Sequence, residues 1–263
     1  MKKKMIGMMF LCTPLYAQNV SLSTISEFTQ LKEENWKEVF YDSGTKNWEQ
    51  SWFLDGETGY VENTDKGMVL HAGPEPDENG SHVVLWSRPV FNGNIRVEYD
   101  FTRLDSNQLE NNVNILYLHA TGSGVNGYDS DISVWTDMRK IPAMDIYFNH
   151  MKAFHISYAV NSVPYDSDYV RGRRYIPETG HGLKNTALYP EYSNTGLFTV
   201  NKTYHITAIL TDRRLYMEVK GDHKKQLFYF DIAADKYLSG GRIGLRQMWT
   251  RTSRYTNFRV FEK

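Results

Sequence analysis

Asp145, Tyr147, Asn149, His150, His155, Ser157 and Tyr158 crowd into one stretch, IPAMDIYFNHMKAFHISYAV, between Ile141 and Val160. Imidazole, phenol and carboxyl groups move protons, and asparagine and serine hold hydrogen bonds, so the inventory is that of a site. Apolar residues alternate along both halves, and alternation sends neighbouring side chains to opposite faces of a strand. The stretch is therefore expected to be a β-hairpin. A turn at Met151, Lys152 and Ala153 pairs His150 with Phe154 and gathers Asp145, Tyr147, Asn149, His155 and Ser157 on one polar face. Tyr158 falls on the apolar side. Solvated strand faces usually carry Lys, Glu and Thr, so this face is expected to line a cleft, the alternative being an ordinary solvated surface.

Two basic and aromatic clusters follow. YVRGRRY sets Arg171, Arg173 and Arg174 between Tyr169 and Tyr175, and RIGLRQMWTRTSRY sets Arg242, Arg246, Arg251 and Arg254 around Trp249 and Tyr255. Guanidinium forks bind carboxylate or sulfate in a bidentate manner, and aromatic faces stack on sugar rings or bases. About half of these arginines are expected to pair with surface acids instead. The expected binding groups are Arg171, Arg173, Arg174 and Tyr175, with Asp145, His150 and Ser157 from the hairpin, His119, Arg246 and Trp249. His71 and His82 read as surface histidines. Asp129 and Asp131 have the i, i+2 spacing of a calcium loop but too few companion ligands, so no metal or other cofactor is expected. No H-E-x-x-H, Walker loop or G-x-S-x-G occurs, which removes support from zinc protease, nucleotide and serine hydrolase readings.

Glycoside hydrolysis needs two carboxyl groups flanking the scissile bond. Glu98, Asp100 and Asp145 are the only strand candidates. β-Elimination on a uronic acid needs donors for the carboxylate and a base near the C5 proton. His155, Tyr147 or Tyr158 could serve as base and acid, with Asn149 and Arg171 or Arg173 on the carboxylate; Tyr158 fits less well because of its face. The inventory favours a lyase acting on an anionic polysaccharide, with glycoside hydrolysis and non-catalytic carbohydrate binding as alternatives.

These groups need a scaffold. The chain has 263 residues, and its opening MKKKMIGMMFLCTPLYAQ has the layout of a secretory leader over 1–17, which leaves 18–263 as the expected single domain in a periplasmic or secreted protein. Phe10 and Leu11 precede Cys12, the only cysteine, where a lipid-anchor signal needs small residues; the exported chain then has neither disulfides nor thiolate sites. Removing Lys2, Lys3 and Lys4 leaves 27 basic against 31 acidic residues, a net charge near −4 that argues against nucleic acid as partner. No apolar run is long enough for a membrane span. Aromatic residues make up 14% of the chain and about a dozen alternating segments recur, which points to an all-β, two-sheet antiparallel sandwich or jelly roll. One short helix is expected over Ser23–Glu34, capped by Ser23 or Ser26. From about 161 to 199 the alternation breaks, and a long ordered loop excursion over the site is expected.

DIYFNHMKAFHISYAV, YVRGRRY and GRIGLRQMWTRTSRYTNFRVF together resemble the YesU-like family, a domain of uncharacterised function in the concanavalin A-like lectin and glucanase superfamily. The resemblance spans Trp36 to Phe261. It implies a jelly roll with a concave sugar-binding face and a setting in bacterial loci that handle pectin-like polysaccharides, and it carries over no catalytic residue. The leader is similar to those of exported Bacteroidetes proteins, which implies a periplasmic location.

Overall fold

A computed structural model describes residues 20–107, 112–160 and 168–263. The expected leader and 161–167, the first part of the expected excursion, lie outside them. The strands are β1 (Lys37–Asp42), β2 (Trp52–Asp55), β3 (Tyr60–Thr64), β4 (Gly67–His71), β5 (Val83–Ser87), β6 (Phe91–Asn92), β7 (Ile95–Arg103) and β8 (Asn114–Gly122). They continue as β9 (Met151–Tyr158), β10 (Tyr169–Tyr175), β11 (Ala187–Ser193), β12 (Thr203–Leu210), β13 (Arg214–Lys220), β14 (Lys225–Asp231), β15 (Gly240–Gln247) and β16 (Thr252–Glu262). All pairings are antiparallel, and they build two eight-stranded sheets. The first runs β14-β13-β12-β7-β16-β4-β3, with β1 also on β16; the second runs β11-β10-β9-β8-β15-β5-β2, with β6 also on β15.

Strand alternation decides what each sheet buries. In β7, Ile95, Val97, Tyr99 and Phe101 face the second sheet, which answers with Leu116 and Leu118 of β8, Phe154, Ile156 and Tyr158 of β9, and Ile243 and Leu245 of β15. Each such side chain contributes about 1.5–3 kcal/mol by leaving water. The Tyr99 hydroxyl donates to that of Tyr158 across the gap at 3.1 Å, so the phenols inside this layer are paired. Along one side the sandwich is laced shut: the Tyr192 hydroxyl of β11 donates to the Tyr229 carbonyl of β14 (3.0 Å) and accepts from the Tyr229 amide (3.1 Å).

Helix α1 (Leu22–Glu33) is held at its start by Ser21, whose hydroxyl accepts from the Thr24 amide at 3.2 Å; the cap precedes both of the expected serines. Phe28 of α1 packs on Tyr216 and Ile209, on the outer face of the first sheet.

The structure corrects two expectations. MDIYFNH is not a strand: it is helix α2 (Met144–His150), and only the second half of the expected hairpin is a strand. Met144, Tyr147, Phe148 and Met151 sit at i, i+3, i+4 and i+7, so this short segment satisfies the helical period as well as the alternating one. Asp145 in its first turn and His150 in its last complement the helix dipole. The expected turn residues Met151, Lys152 and Ala153 lie inside β9. The stretch 161–199 is likewise more than a loop, since it holds β10 and β11. Arginines and Pro190 break the apolar alternation there, but cross-strand pairing of β10 to β9 and of β11 to β10 organises the backbone.

Candidate functional site

The outer face of the second sheet carries the chemistry. Pairing register lays two rows of side chains across it. One row is Arg171, Ser157, Ile115, Arg246 and Val84; the next is Arg173, His155, Tyr117, Gly244 and Trp86, each residue opposite the next on a neighbouring strand. Gly244 is required where it stands, because a Cβ there would lie 2.4 Å from the Trp86 ring. The lower half of this face is roofed by α2 and by the 3-10 segment Ile132–Arg139, which bury Trp86, Tyr117 and Tyr147 beneath them. The uncovered half is a cleft of about 330 Å³ lined by Asn79, His82, Val113, Ile115, Met144, His155, Ser157, Tyr169, Arg171, Arg173, Leu183, Met248 and Trp249.

His155 is the most constrained group in it. Nδ1 lies 2.5 Å from the Tyr175 hydroxyl and Nε2 2.5 Å from the Ser157 hydroxyl. The Tyr175 hydroxyl is in turn 3.5 Å from that of Tyr117, so Tyr117, Tyr175, His155 and Ser157 form a chain of exchangeable protons. Burial, with the Arg173 and Arg246 charges beside it, holds the His155 imidazole well below its ordinary range. The ring is neutral, and in that state one nitrogen donates while the other accepts.

The cleft is cationic. Arg173 Nη1 donates to the Thr186 hydroxyl at 3.1 Å, and among the described residues no carboxylate pairs with it. Arg171 lies over the Tyr169 ring at 3.9 Å, with Glu191 at 3.5 Å from its Nε. Arg246 is fully buried over the Tyr147 ring, and its Nη2 donates to His82 Nδ1 (2.8 Å) and to the Pro142 carbonyl (2.6 Å). Among the described residues, the lining includes neither Asp nor Glu. His82 stacks on Trp249 at 4.8 Å; His82 Nε2 and Trp249 Nε1 have no hydrogen-bond partner among the described residues. Burial and the Arg246 charge push the His82 imidazole down to about 3.

Several expected site residues are therefore brought together: His155, Ser157, Arg171, Arg173 and Trp249 line the cleft, while Tyr175 and Arg246 stand directly behind the lining. Others are not. Tyr158 is buried between the sheets, because β9 turns even-numbered side chains inward. Tyr147 is sealed under α2, its hydroxyl donating to Asp55. Asp145 and Asn149 are exposed on α2, and His150 stacks on Tyr128 at 3.6 Å; helical geometry takes all three away from the face a strand would have given them. Arg174 has the opposite parity to Arg171 and Arg173, and its Nε donates to the Lys236 carbonyl at 2.8 Å. His119 is enclosed, with Nδ1–H donating to the Leu238 carbonyl at 2.7 Å, and burial lowers it to about 4.

Of the remaining arginines, Arg242 pairs with Asp131 (2.8 Å) and the fully buried Arg251 with Asp105 (3.3 Å), while Arg254 donates to the Thr102 hydroxyl. Asp131 also caps the 3-10 segment, and among the described residues no group of three or more His, Cys, Asp or Glu is placed to hold a metal. Glu98 and Asp100 point away from the core of the first sheet, paired with Arg96 and His205. His82, expected at the surface, is instead 1% exposed at the cleft. The period-2 run His82, Val84, Trp86 contains the signal that would have found it.

The fold is a two-sheet antiparallel β-sandwich of the kind found in galectin-like and legume-lectin structures. Among solved structures, the chain is similar to a Bacillus subtilis protein of unknown function with a galectin-like fold, at 18% identity over 85% of this chain and 95% of that one, with a TM-score of 0.62. It is also similar to the exoplasmic/lumenal domain of VIP36 in a Ca2+/Man3GlcNAc-bound form (11% identity, 88% and 91% covered, TM-score 0.55). The Griffonia simplicifolia lectin I-B4 gives 9% identity, 86% and 100% coverage and a TM-score of 0.54. No family model and no curated protein matches the chain.

Proposed function

We propose that the protein binds an acidic saccharide, a uronate-containing or otherwise anionic glycan, in the cleft of the second sheet. One observation carries this reading: Arg171 and Arg173 line a cleft whose lining, among the described residues, has no carboxylate, and the buried Arg246 stands directly behind it. Such a site attracts an anion, and Val113, Ile115, Met144 and Met248 give its lining apolar surface as well. The likeness to the VIP36 domain, which holds Man3GlcNAc, supports a glycan over other anions. Membership of the YesU-like family and export after Ala17 belong to the same proposal, and among the described residues no helix is long and apolar enough to cross a membrane.

Binding is tested by calorimetry against pectic, alginate and glycosaminoglycan fragments beside their neutral counterparts. Arg173→Gln is expected to weaken the acidic ligand by about 10–100-fold, the worth of a charge-assisted hydrogen bond. Affinity should also drop as salt rises. Equal affinity for neutral glycans, or no effect of Arg173→Gln, refutes the reading.

A second reading, β-elimination, is favoured by the hydroxyl–imidazole chain. Both nitrogens of His155 face protein hydroxyls, so Ser157 would take the C5 proton as it passes its own to the imidazole, while the arginines would hold the uronate carboxylate and the charge that develops on it. The C4–O bond would break to leave the C4–C5 double bond, its oxygen taking up a proton. Bound carboxylate would also offset the two guanidinium charges that depress His155. Incubation with the same glycans while following the ultraviolet absorbance of an unsaturated uronate end separates the readings. Under elimination, His155→Gln is expected to lower turnover by about 10²–10⁴-fold with little change in affinity. Binding without that absorbance leaves a carbohydrate-binding protein. Hydrolysis by paired carboxylates has no support at this cleft, since Glu98, Asp100 and Asp145 all lie elsewhere.

A further inference from the structure

Resting on the acidic-glycan reading, we infer that the cleft is one end of a longer polysaccharide track, which passes over Leu183 into a second groove along the β11–β14 side of the sandwich, with Tyr189 as its sugar platform. This groove, about 860 Å³, is lined by Leu183, Asn185, Tyr189, Pro190, Tyr229 and Lys236 among others. Leu183, a half-buried side chain, lines both hollows, so they meet at it. The ridge that carries it is fastened to the cleft: Arg173 Nη1 donates to the Thr186 hydroxyl, which donates to the Leu183 carbonyl at 2.7 Å.

The groove is built to hold a rigid, hydroxylated chain. Tyr189 is 67% exposed on a strand that the Tyr192 hydroxyl ties to β14, so the backbone beneath the ring is already ordered. Among the described residues no carboxylate pairs with Lys236, whereas the one acid of the lining, Asp231, is already held by Arg214 at 2.7 Å. Each hollow thus offers a cation, and the groove adds an exposed aromatic ring, which matches an acidic polysaccharide several units long and leaves a disaccharide in the cleft alone. Its two hollows together exceed the volume that a single small ligand fills.

The test is chain-length dependence of binding. Di- and octasaccharides of galacturonate, mannuronate and chondroitin are titrated into the wild type, Arg173→Gln and Tyr189→Ala. The octasaccharide of whichever series binds is expected to bind at least about tenfold more tightly than the disaccharide. Tyr189→Ala, an exposed position, should remove that advantage, about tenfold, while leaving disaccharide affinity unchanged. Lys236→Ala should repeat this more weakly. No length dependence, or a Tyr189→Ala loss equal for both lengths, overturns the track while leaving the cleft reading intact. If Arg173→Gln alters neither length, the cleft reading falls and the track with it.

Discussion

Replacing Asp55 by alanine is expected to cost about 3–5 kcal/mol of folding stability, the loss typical of stranding a buried charge. Asp55 and Arg139 are both fully enclosed, with Arg139 Nε donating to Asp55 Oδ2 at 2.6 Å. The same oxygen accepts from Trp86 Nε1 (2.6 Å) and the Tyr147 hydroxyl (3.0 Å). One carboxylate therefore ties β5, the 3-10 segment and α2 to the strand β2 that carries it. Arg139 spends its other nitrogens on the Trp135 and Ile132 carbonyls, so it has no alternative counter-charge when Asp55 is removed. Burial pushes the Asp55 carboxyl above its ordinary range, and Arg139 and the other donors pull it back. Asp55→Asn retains an acceptor without the charge and should fall between wild type and alanine. Denaturant unfolding of the three proteins measures this. A loss under about 1 kcal/mol for Asp55→Ala would show that the roof is held by packing alone. The consequence reaches the site as well, because Met144 at the start of α2 lines the cleft.

The second large effect is acid sensitivity above the range where carboxylates titrate. His82 and His119 are lowered to about 3 and about 4, and His155 well below its usual value, in each case mainly by burial. All three are neutral when folded and protonate near 6.5 once unfolded. The unfolded chain then binds more protons, so their contribution is intact above about pH 6.5 and is lost as pH falls toward the folded values. Each histidine can steepen the fall by at most about 1.4 kcal/mol per pH unit, and the three together by about 4. Asp55, with a raised carboxyl, acts in the opposite sense, its contribution declining as pH rises through the folded value, so the histidine term is best isolated by difference. His119 lies away from the cleft with φ of 51°, a left-handed geometry that asparagine tolerates. His119→Asn should therefore flatten the stability profile between pH 6.5 and 5 without touching binding. An unchanged slope would mean that His119 titrates normally in the folded protein.

The amino-acid sequence by itself determined the sandwich. Alternation in segments such as Ile95–Arg103 and Arg214–Lys220 leaves one way to bury both apolar faces, and the sheets form accordingly. It also placed His155 and Ser157 on one face and Tyr158 on the other, because parity along a strand is a local property. The family-like motif YVRGRRY was legible as a strand's worth of chemistry, although its apolar pattern did not announce a strand. What the tertiary structure decided was whatever depends on partners distant in the chain. MDIYFNH fits two periods, and the choice of helix goes with the Tyr147 hydroxyl reaching Asp55, ninety-two residues away. The same holds for charge: three of the seven clustered arginines met carboxylates, and only register showed that Arg173 faces a cleft lined, among the described residues, by none, with Arg246 behind it. Local pattern sets which face a side chain takes, and only long-range pairing sets what that face meets.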